Sequence, residues 1–438
     1  MQTSTVDQAT KDLIRQAEKS LADQFEFVDE TALQNQRKVL DAFRNHKLTE
    51  EHFAEKTGYG IDDAGREALD SIFAEVFNAP AAAVRMQVVS GTHALALCLY
   101  GCLKPGDRLV SITGAPYDTL QQVIGIAGDG RGSLRELGVA YAEIDIDPAL
   151  LNVSGYQAAG IDAQVAAARV LELQKLLEAP TKLVTIQKSC GYSFDRRTLS
   201  NEEIGKMIAL VKATNPDVLV MVDNCYGEFV ESTEPTSHGA DIIAGSLIKN
   251  PGGGLAISGG YIAGREDLIE SALYRLTAPG IGGHQGVSFN QNRLLFQGLF
   301  LAPSVVASAV KGAMLSALVF SDLGMDVKPA ATKRRFDIIQ AIKFGSRQKL
   351  VNFCRAIQYF SPVNAHVSPE PAEMPGYEDQ VVMAGGTFVE GSTIELSADG
   401  PLREPYAAFL QGGLTYLHIK CMLEGAITRS RSGELPFV

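Results

Sequence analysis

The sequence predicts an α/β protein in which a large, doubly wound and mostly parallel sheet is followed by a smaller α/β domain. Three observations lead there. The chain of 438 residues is long enough for two or three domains, or for one large domain with a smaller companion. From about residue 80 onward, short β-rich runs alternate with helix-like segments at the spacing of β-α-β units. From about Pro329 the composition shifts, and strand-like runs recur between two further helical segments. The expected division is a helical N-terminal arm over residues 1–80, a large domain over 81–328 and a small domain over 329–438.

Taken in order, Ala32 to Phe43 reads as a helix, with Leu33, Val39, Leu40 and Phe43 on its apolar positions. The run VVSG (Val88–Gly91) reads as a strand that feeds the helix-like THALALCLYGCL. RLVSI follows as a strand, TLQQVIGIAG as a helical segment and VAYAEIDI as a further strand. KLVTIQ, VLVMVD, DIIAGSL and GGYIAG read as strands, with a helix over Asn201–Thr214. The later strands are closely spaced, so part of the sheet departs from a simple β-α-β repeat. Leu301 to Phe320 is the longest apolar stretch; Pro303, its serines and Lys311 make it a buried helix rather than a membrane span. Beyond it, TKRRFDIIQAIKFG, GGTFVEG and TIELSA read as strands, and Arg347–Phe360 and Gly412–Glu424 as helices. Ser361 to Gly376 holds four prolines and is expected to be an exposed, lid-like loop.

Composition narrows the functional classes. Apolar residues make up 46% and charged residues 21%, as in an ordinary soluble enzyme. A formal charge of −12 argues against nucleic acid as a partner, because phosphate neutralisation needs a basic face. Small anions remain open, since helix termini bind them whatever the net charge. The N-terminus mixes both charges and has no apolar core, so it is not a secretory signal. Cys98, Cys102, Cys190, Cys225, Cys354 and Cys421 are scattered, without a paired spacing or nearby histidines. They read as reduced thiols of a cytoplasmic protein, with no metal site and no membrane attachment.

Three short segments bear chemistry. In SGTHALALCL (Ser90–Leu99) a small-residue turn runs into a helix, where Gly91, Thr92 and His93 could cradle a phosphate. A plain helix cap by Ser90 or Thr92 is the alternative. In VLVMVDNCYGEF, Asp223 sits at the tip of an apolar strand, where open α/β sheets bind ligands; a turn-forming Asp–Asn is the alternative. In GSLIKNPGGG an apolar run delivers Lys249 ahead of three glycines. Desolvation there should pull its pKa down and leave a usable nucleophile, whereas a solvated strand-end lysine would do nothing. Together, a phosphate cradle, a buried aspartate and a strand-end lysine are the three contacts pyridoxal phosphate requires.

The runs GADIIAGSLIKN and VMVDNCYGEF resemble the lysine and aspartate segments of fold-type-I pyridoxal-phosphate enzymes of the Cys/Met-metabolism group. GYGIDDAGREALDSIFAEVF, SGTHA, TGAPYDTL, IQKSCGYS, TAPGIGGHQG and GGTFVEGSTIELSADGPLREPY resemble more closely the methionine gamma-lyase-like, or aluminium-resistance, proteins, from about Leu33 to Ile427. The resemblance implies a lyase that eliminates from a sulfur amino acid, in the manner of cystathionine beta-lyase, in a homodimer or homotetramer with shared sites. It implies Lys249 as the cofactor-linking lysine and Asp223 as the partner of the ring nitrogen. Gly91, Thr92 and Ser246 would bind phosphate, and Tyr117 would stack on the ring, with His93 as its rival. Tyr59, with Arg66 a companion, would reach the phosphate of a neighbouring subunit, and TAPGIGGHQG could cross the same interface. Arg403 would hold the substrate carboxylate. Two positions depart from the wider pattern: Cys190, where an arginine is usual, leaving Lys188 and Arg196 as nearby cations, and Ile248, where a small hydroxyl residue is usual. Aminotransfer, aldol-type cleavage of a hydroxy amino acid, and a cofactor-holding stress sensor without turnover stay open as alternatives.

Overall fold

The computed structural model describes residues 6–148 and 163–438. Three helices come first: α1 (Gln8–Ser20), α2 (Ala22–Asn45) and α3 (Ala64–Val76). The first sheet takes its strands from β1 (Ala81–Arg85), β2 (Arg108–Ser111), β3 (Ala140–Glu143), β4 (Leu183–Gln187), β5 (Leu219–Asp223), β6 (Ile242–Ser246) and β7 (Gly260–Gly264). Between and after them lie α4 (Gly91–Cys102), α5 (Asp118–Ile124), α6 (Ala163–Glu178), α7 (Asn201–Thr214), α8 (Glu266–Leu276) and the long α9 (Asn292–Asp322).

This sheet runs β1-β7-β6-β5-β4-β2-β3, and only β7 opposes its neighbours. Parallel neighbours need a long crossover, usually a helix. The link from β6 to β7 has none; it is the turn that carries Lys249, so β7 doubles back antiparallel. Alternate strand residues enter different cores. Leu219 and Met221 pack with Ile242 and Ala244 against α4 and α8, while Val220, Val222 and Ile243 pack against α7 and α9. Both faces are therefore covered, which is why these strands read as unbroken apolar runs.

The second sheet is antiparallel, in the order β10-β11-β12-β9-β8. Its strands are β8 (Asp326–Lys328), β9 (Gln340–Lys343), β10 (Val381–Ala384), β11 (Ser397–Pro401) and β12 (Ala407–Gln411), flanked by α10 (Arg347–Tyr359) and α11 (Tyr416–Arg431). Ile14 and Ala17 of α1 join this second core, together with Leu315, Val319 and Phe320 from the end of α9. Helix α9 continues through Pro303 and is mostly buried, so it is a core helix.

Four expectations needed correction. The strand before the cradle is AAAVR, not VVSG: Val88 and Val89 lie in the turn that enters α4. Alanine carries little strand signal, whereas the valine pair does. GGTFVEG is a loop; the Glu395 carboxylate accepts the Phe388 and Val389 N–H groups at 3.0 and 2.9 Å, so that backbone needs no ladder. TIELSA becomes strand only from Ser397, paired instead with the unforeseen β10. The last helix starts at Tyr416, capped by the Thr415 hydroxyl, because Gly412 and Gly413 have positive φ values of 72° and 143°.

Candidate active site

The parity that splits the first sheet also aims its polar strand ends. Asp223 continues the series Leu219–Met221, and Ser246 the series Ile242–Ala244, so both side chains emerge on the α4 side. There the Ser90 hydroxyl caps α4 by accepting the His93 N–H at 3.1 Å. By helix geometry that leaves the N–H groups of Gly91 and Thr92 available to an anion. A Cβ on residue 91 would stand 3.2 Å from Cys225 Sγ and 3.4 Å from Ser246 Cβ, so glycine keeps the cradle open against both strand ends.

Lys249 follows β6 and lies 4.0 Å from the centroid of the Tyr226 ring. The glycines behind it answer to packing. A Cβ at Gly252 would strike the Leu247 carbonyl at 1.8 Å, and one at Gly253 the Gly298 carbonyl of α9 at 2.2 Å. Asn250 donates to the carbonyls of Tyr226 and Glu228 at 3.0 and 2.9 Å, tying the lysine turn to the turn after β5. Tyr226 is thereby held at a φ of 71°, a strained value for a tyrosine.

Burial raises the Asp223 carboxyl above its ordinary range, with Lys249 and the Cys225 N–H opposing. Burial likewise pushes the Tyr117 phenol up, so it keeps its proton. For Lys249 the expected depression is reversed. Desolvation pulls it down, but the Cys225 thiol, the Tyr226 and Tyr117 phenols and Asp223 outweigh burial and hold it well above the usual lysine range.

These groups share one cavity of about 380 Å³, lined by Gly91, Thr92, Tyr117, Asp223, Ser246 and Lys249 among others. Thr92 Oγ1 lies 2.6 Å from the Tyr117 hydroxyl and 3.1 Å from Thr119 Oγ1, so α4 and α5 are coupled at its mouth.

The model of the family named methionine gamma-lyase matches residues 10–431. The chain belongs to that family. It is a family of pyridoxal-phosphate-dependent carbon–sulfur lyases of fold type I. A Listeria monocytogenes structure named as a candidate cystathionine beta-lyase involved in aluminium resistance is 47% identical, with a TM-score of 0.87 over 95% of this chain and 99% of that one. A Clostridium novyi structure named carbon-sulfur lyase involved in aluminium resistance is 44% identical, with a TM-score of 0.88 over 97% of this chain and 96% of that one. The pyridoxal-5′-phosphate-dependent protein YhfS of Escherichia coli, at 18% identity and a TM-score of 0.55 over 91% of this chain and 96% of that one, shares the fold alone.

Not every expected site residue of this family member meets the cavity. The His93 ring accepts the Val89 N–H at 3.2 Å through Nδ1 and does not line the wall. Arg403 Nη1 is bound to Asp379 at 3.0 Å, with Nη2 3.9 Å from Asp118. Tyr59 is 71% exposed on the outer surface. Arg66 is buried and donates to the Gly60 and Gly286 carbonyls at 2.7 and 2.9 Å, fastening the Tyr59 loop to the TAPGIGGHQG segment. Lys188 points away, donating to Asn201 at 2.5 Å and to Glu231 at 3.1 Å, and Arg196 donates to the Ala115 carbonyl at 2.6 Å. Cys190 is a buried thiol against Phe194 and Ile339, and Ile248 lines the cavity.

Several lining residues carried no sequence signal. Gln187 accepts the Tyr117 N–H at 2.8 Å and donates to the Ser189 carbonyl at 2.9 Å, bracing the tyrosine from β4. Tyr192 donates to Asp399 at 3.1 Å, and Ser392 to the same oxygen at 3.2 Å. Burial pushes the Asp399 carboxyl up to about 6. Tyr377 and Gln411 complete the wall from the second sheet's side.

Proposed function

We propose that the chain is a pyridoxal-phosphate lyase that eliminates a thiol from a sulfur-containing amino acid, leaving ammonia and a 2-oxo acid. The observation that carries this reading is the convergence of the α4 N-terminus, Asp223 and Lys249 on one cavity. The residues fit the cofactor. The first-turn N–H groups of α4, with Thr92 and Ser246, suit its phosphate. Asp223, a buried acid, suits a protonated ring nitrogen, and Tyr117 and Tyr226 suit the ring faces. When bound, pyridoxal phosphate supplies an electron sink for charge developing at the substrate's α-carbon.

The chain's own groups do the rest. Lys249 would hold the cofactor and, as a free amine, would take the proton from the substrate's α-carbon. Tyr117, which keeps its proton and is fixed by Thr92, donates towards the departing sulfur. Arg403 can take the substrate carboxylate only by leaving Asp379 and Asp118.

A second copy of the chain belongs in this reading. Tyr59, Ile61, Val89 and Phe289 are 71%, 54%, 68% and 57% exposed, and Val89 also lines the cavity. Covering that face with a partner would bring a Tyr59 to a neighbour's cradle. We place the assembly in the cytoplasm.

The test is product analysis with cystathionine, methionine, cysteine and threonine. A thiol with ammonia and a 2-oxo acid from a sulfur substrate is expected. Amino-group transfer, or aldehyde from threonine alone, would replace elimination with the corresponding alternative. Cofactor-loaded protein that turns over none of them would be a sensor.

A further inference from the structure

The second sheet brings a polar group to the cavity that nothing in the protein satisfies. Gln411, the last residue of β12, lines the cavity and is 4% exposed, and its amide nitrogen is buried without a hydrogen-bond partner. Its register partner on β11 is Ser397, whose hydroxyl is also buried and without a partner. Directly opposed residues on one sheet face stand about 5 Å apart at Cβ, so the two donors are neighbours. Buried polar atoms are nearly always bonded, and an exception on a cavity wall, with a second beside it on the neighbouring strand, calls for a ligand that completes them.

The chemistry of that ligand follows from the surroundings. Both groups can donate, so the missing partner is an acceptor. Among the described lining residues the charges are Asp118, Asp223, Glu390 and Lys249, and no arginine is present. An amino-acid carboxylate entering here meets no guanidinium, because Arg403 is engaged with Asp379 and Asp118. Position selects which end of the substrate is met. The Ile394 N–H donates to the Ile248 carbonyl at 3.1 Å, and the Gly413 N–H donates to the Ile394 carbonyl at 2.7 Å. The chain just past Gln411 is thus linked through one residue to the one before Lys249, the end of the cavity that must receive the substrate's α-amino group.

Resting on the proposed amino-acid lyase function, we infer that Gln411, with Ser397 beside it, is the donor for the substrate's α-carboxylate. Recognition by neutral donors replaces the arginine fork, and it avoids adding a cation that would compete with Lys249 for Asp223. A hydrogen bond from a neutral donor to a carboxylate is stronger than one to an amide, so the pair should prefer the acid over the carboxamide.

The experiment uses cofactor-loaded protein and reads the absorbance change on titration with L-alanine, whose β-carbon carries no leaving group, and with L-alaninamide. Wild type should bind L-alanine more tightly. Gln411→Leu should weaken L-alanine at least about tenfold while leaving L-alaninamide, the resting spectrum and the melting temperature nearly unchanged. Gln411→Glu keeps the shape and adds a repelling charge, so it should weaken L-alanine further. Ser397→Ala should give a smaller loss of the same kind. Undiminished L-alanine binding in both Gln411 variants overturns the inference, as does loss of the preference in Arg403→Lys instead. Wild type that responds to neither probe overturns the proposed function, and the inference with it.

Discussion

Two carboxyl groups a turn apart show how one local sequence serves two ends. Asp223 faces the cavity, whereas Glu228 turns into the core beneath, where its Oε1 accepts the Tyr261 hydroxyl at 2.8 Å and its Oε2 has no partner. Burial pushes the Glu228 carboxyl up to about 8, and neighbouring Glu234 adds to the rise. A folded-state value above the ordinary 4.5 means that the native state holds this proton more tightly than the unfolded chain does. Its contribution to stability is therefore full at low pH and is lost as pH rises from about 4.5 to about 8, by at most about 1.4 kcal/mol per pH unit. Glu228→Gln keeps an acceptor for Tyr261 and removes the titration. Between about pH 5 and pH 8 the wild type should lose more melting temperature than the variant. Equal losses would mean that Glu228 is already ionised in the fold. No sequence pattern marked Glu228, because nothing in GEF says which way a side chain turns after the strand ends.

At the scale of elements, the strand ends and the helix they face were legible. Asp223 and Lys249 could be placed at the cavity because strands buried on both faces end at the same edge, so a polar residue there has one place to go, whereas Ser246 came only with the family resemblance. Gly91 and Thr92 were legible because a capped helix N-terminus is a local signal. The second sheet was harder to read. Its loops are satisfied by side chains such as Glu395, and Tyr377 and Gln411 reach the cavity only because the loop after β4 packs on β9 and β12. The cradle gives a direct prediction. Gly91→Ala puts a methyl group 3.2 Å from Cys225 Sγ and 3.4 Å from Ser246 Cβ, in the space left for an anion. Gly91 opens α4 and is not among the glycines with positive φ, so the fold should persist. Cofactor affinity, titrated by absorbance on the apoprotein, should fall at least about tenfold, or about 1.4 kcal/mol. Unchanged affinity would move the phosphate away from α4.

For the whole molecule, the proposed assembly makes a single chain an incomplete unit of function, because the exposed Tyr59 would serve a neighbour's cavity. Lys249→Ala and Tyr59→Phe subunits should each be inactive alone. Mixed and reassociated, they should recover about a quarter of the sites, since half of random dimers are mixed and each of those has one intact site. No recovery would assign Tyr59 to its own subunit's surface. All of this depends on the cavity holding pyridoxal phosphate at Lys249, and one measurement addresses that directly. The cofactor-loaded protein is reduced with borohydride, digested, and its peptides are mapped by mass spectrometry. The account predicts a pyridoxyl group on the peptide containing Lys249 and on no other. A label on another lysine, or none in protein that retains the cofactor, would contradict it.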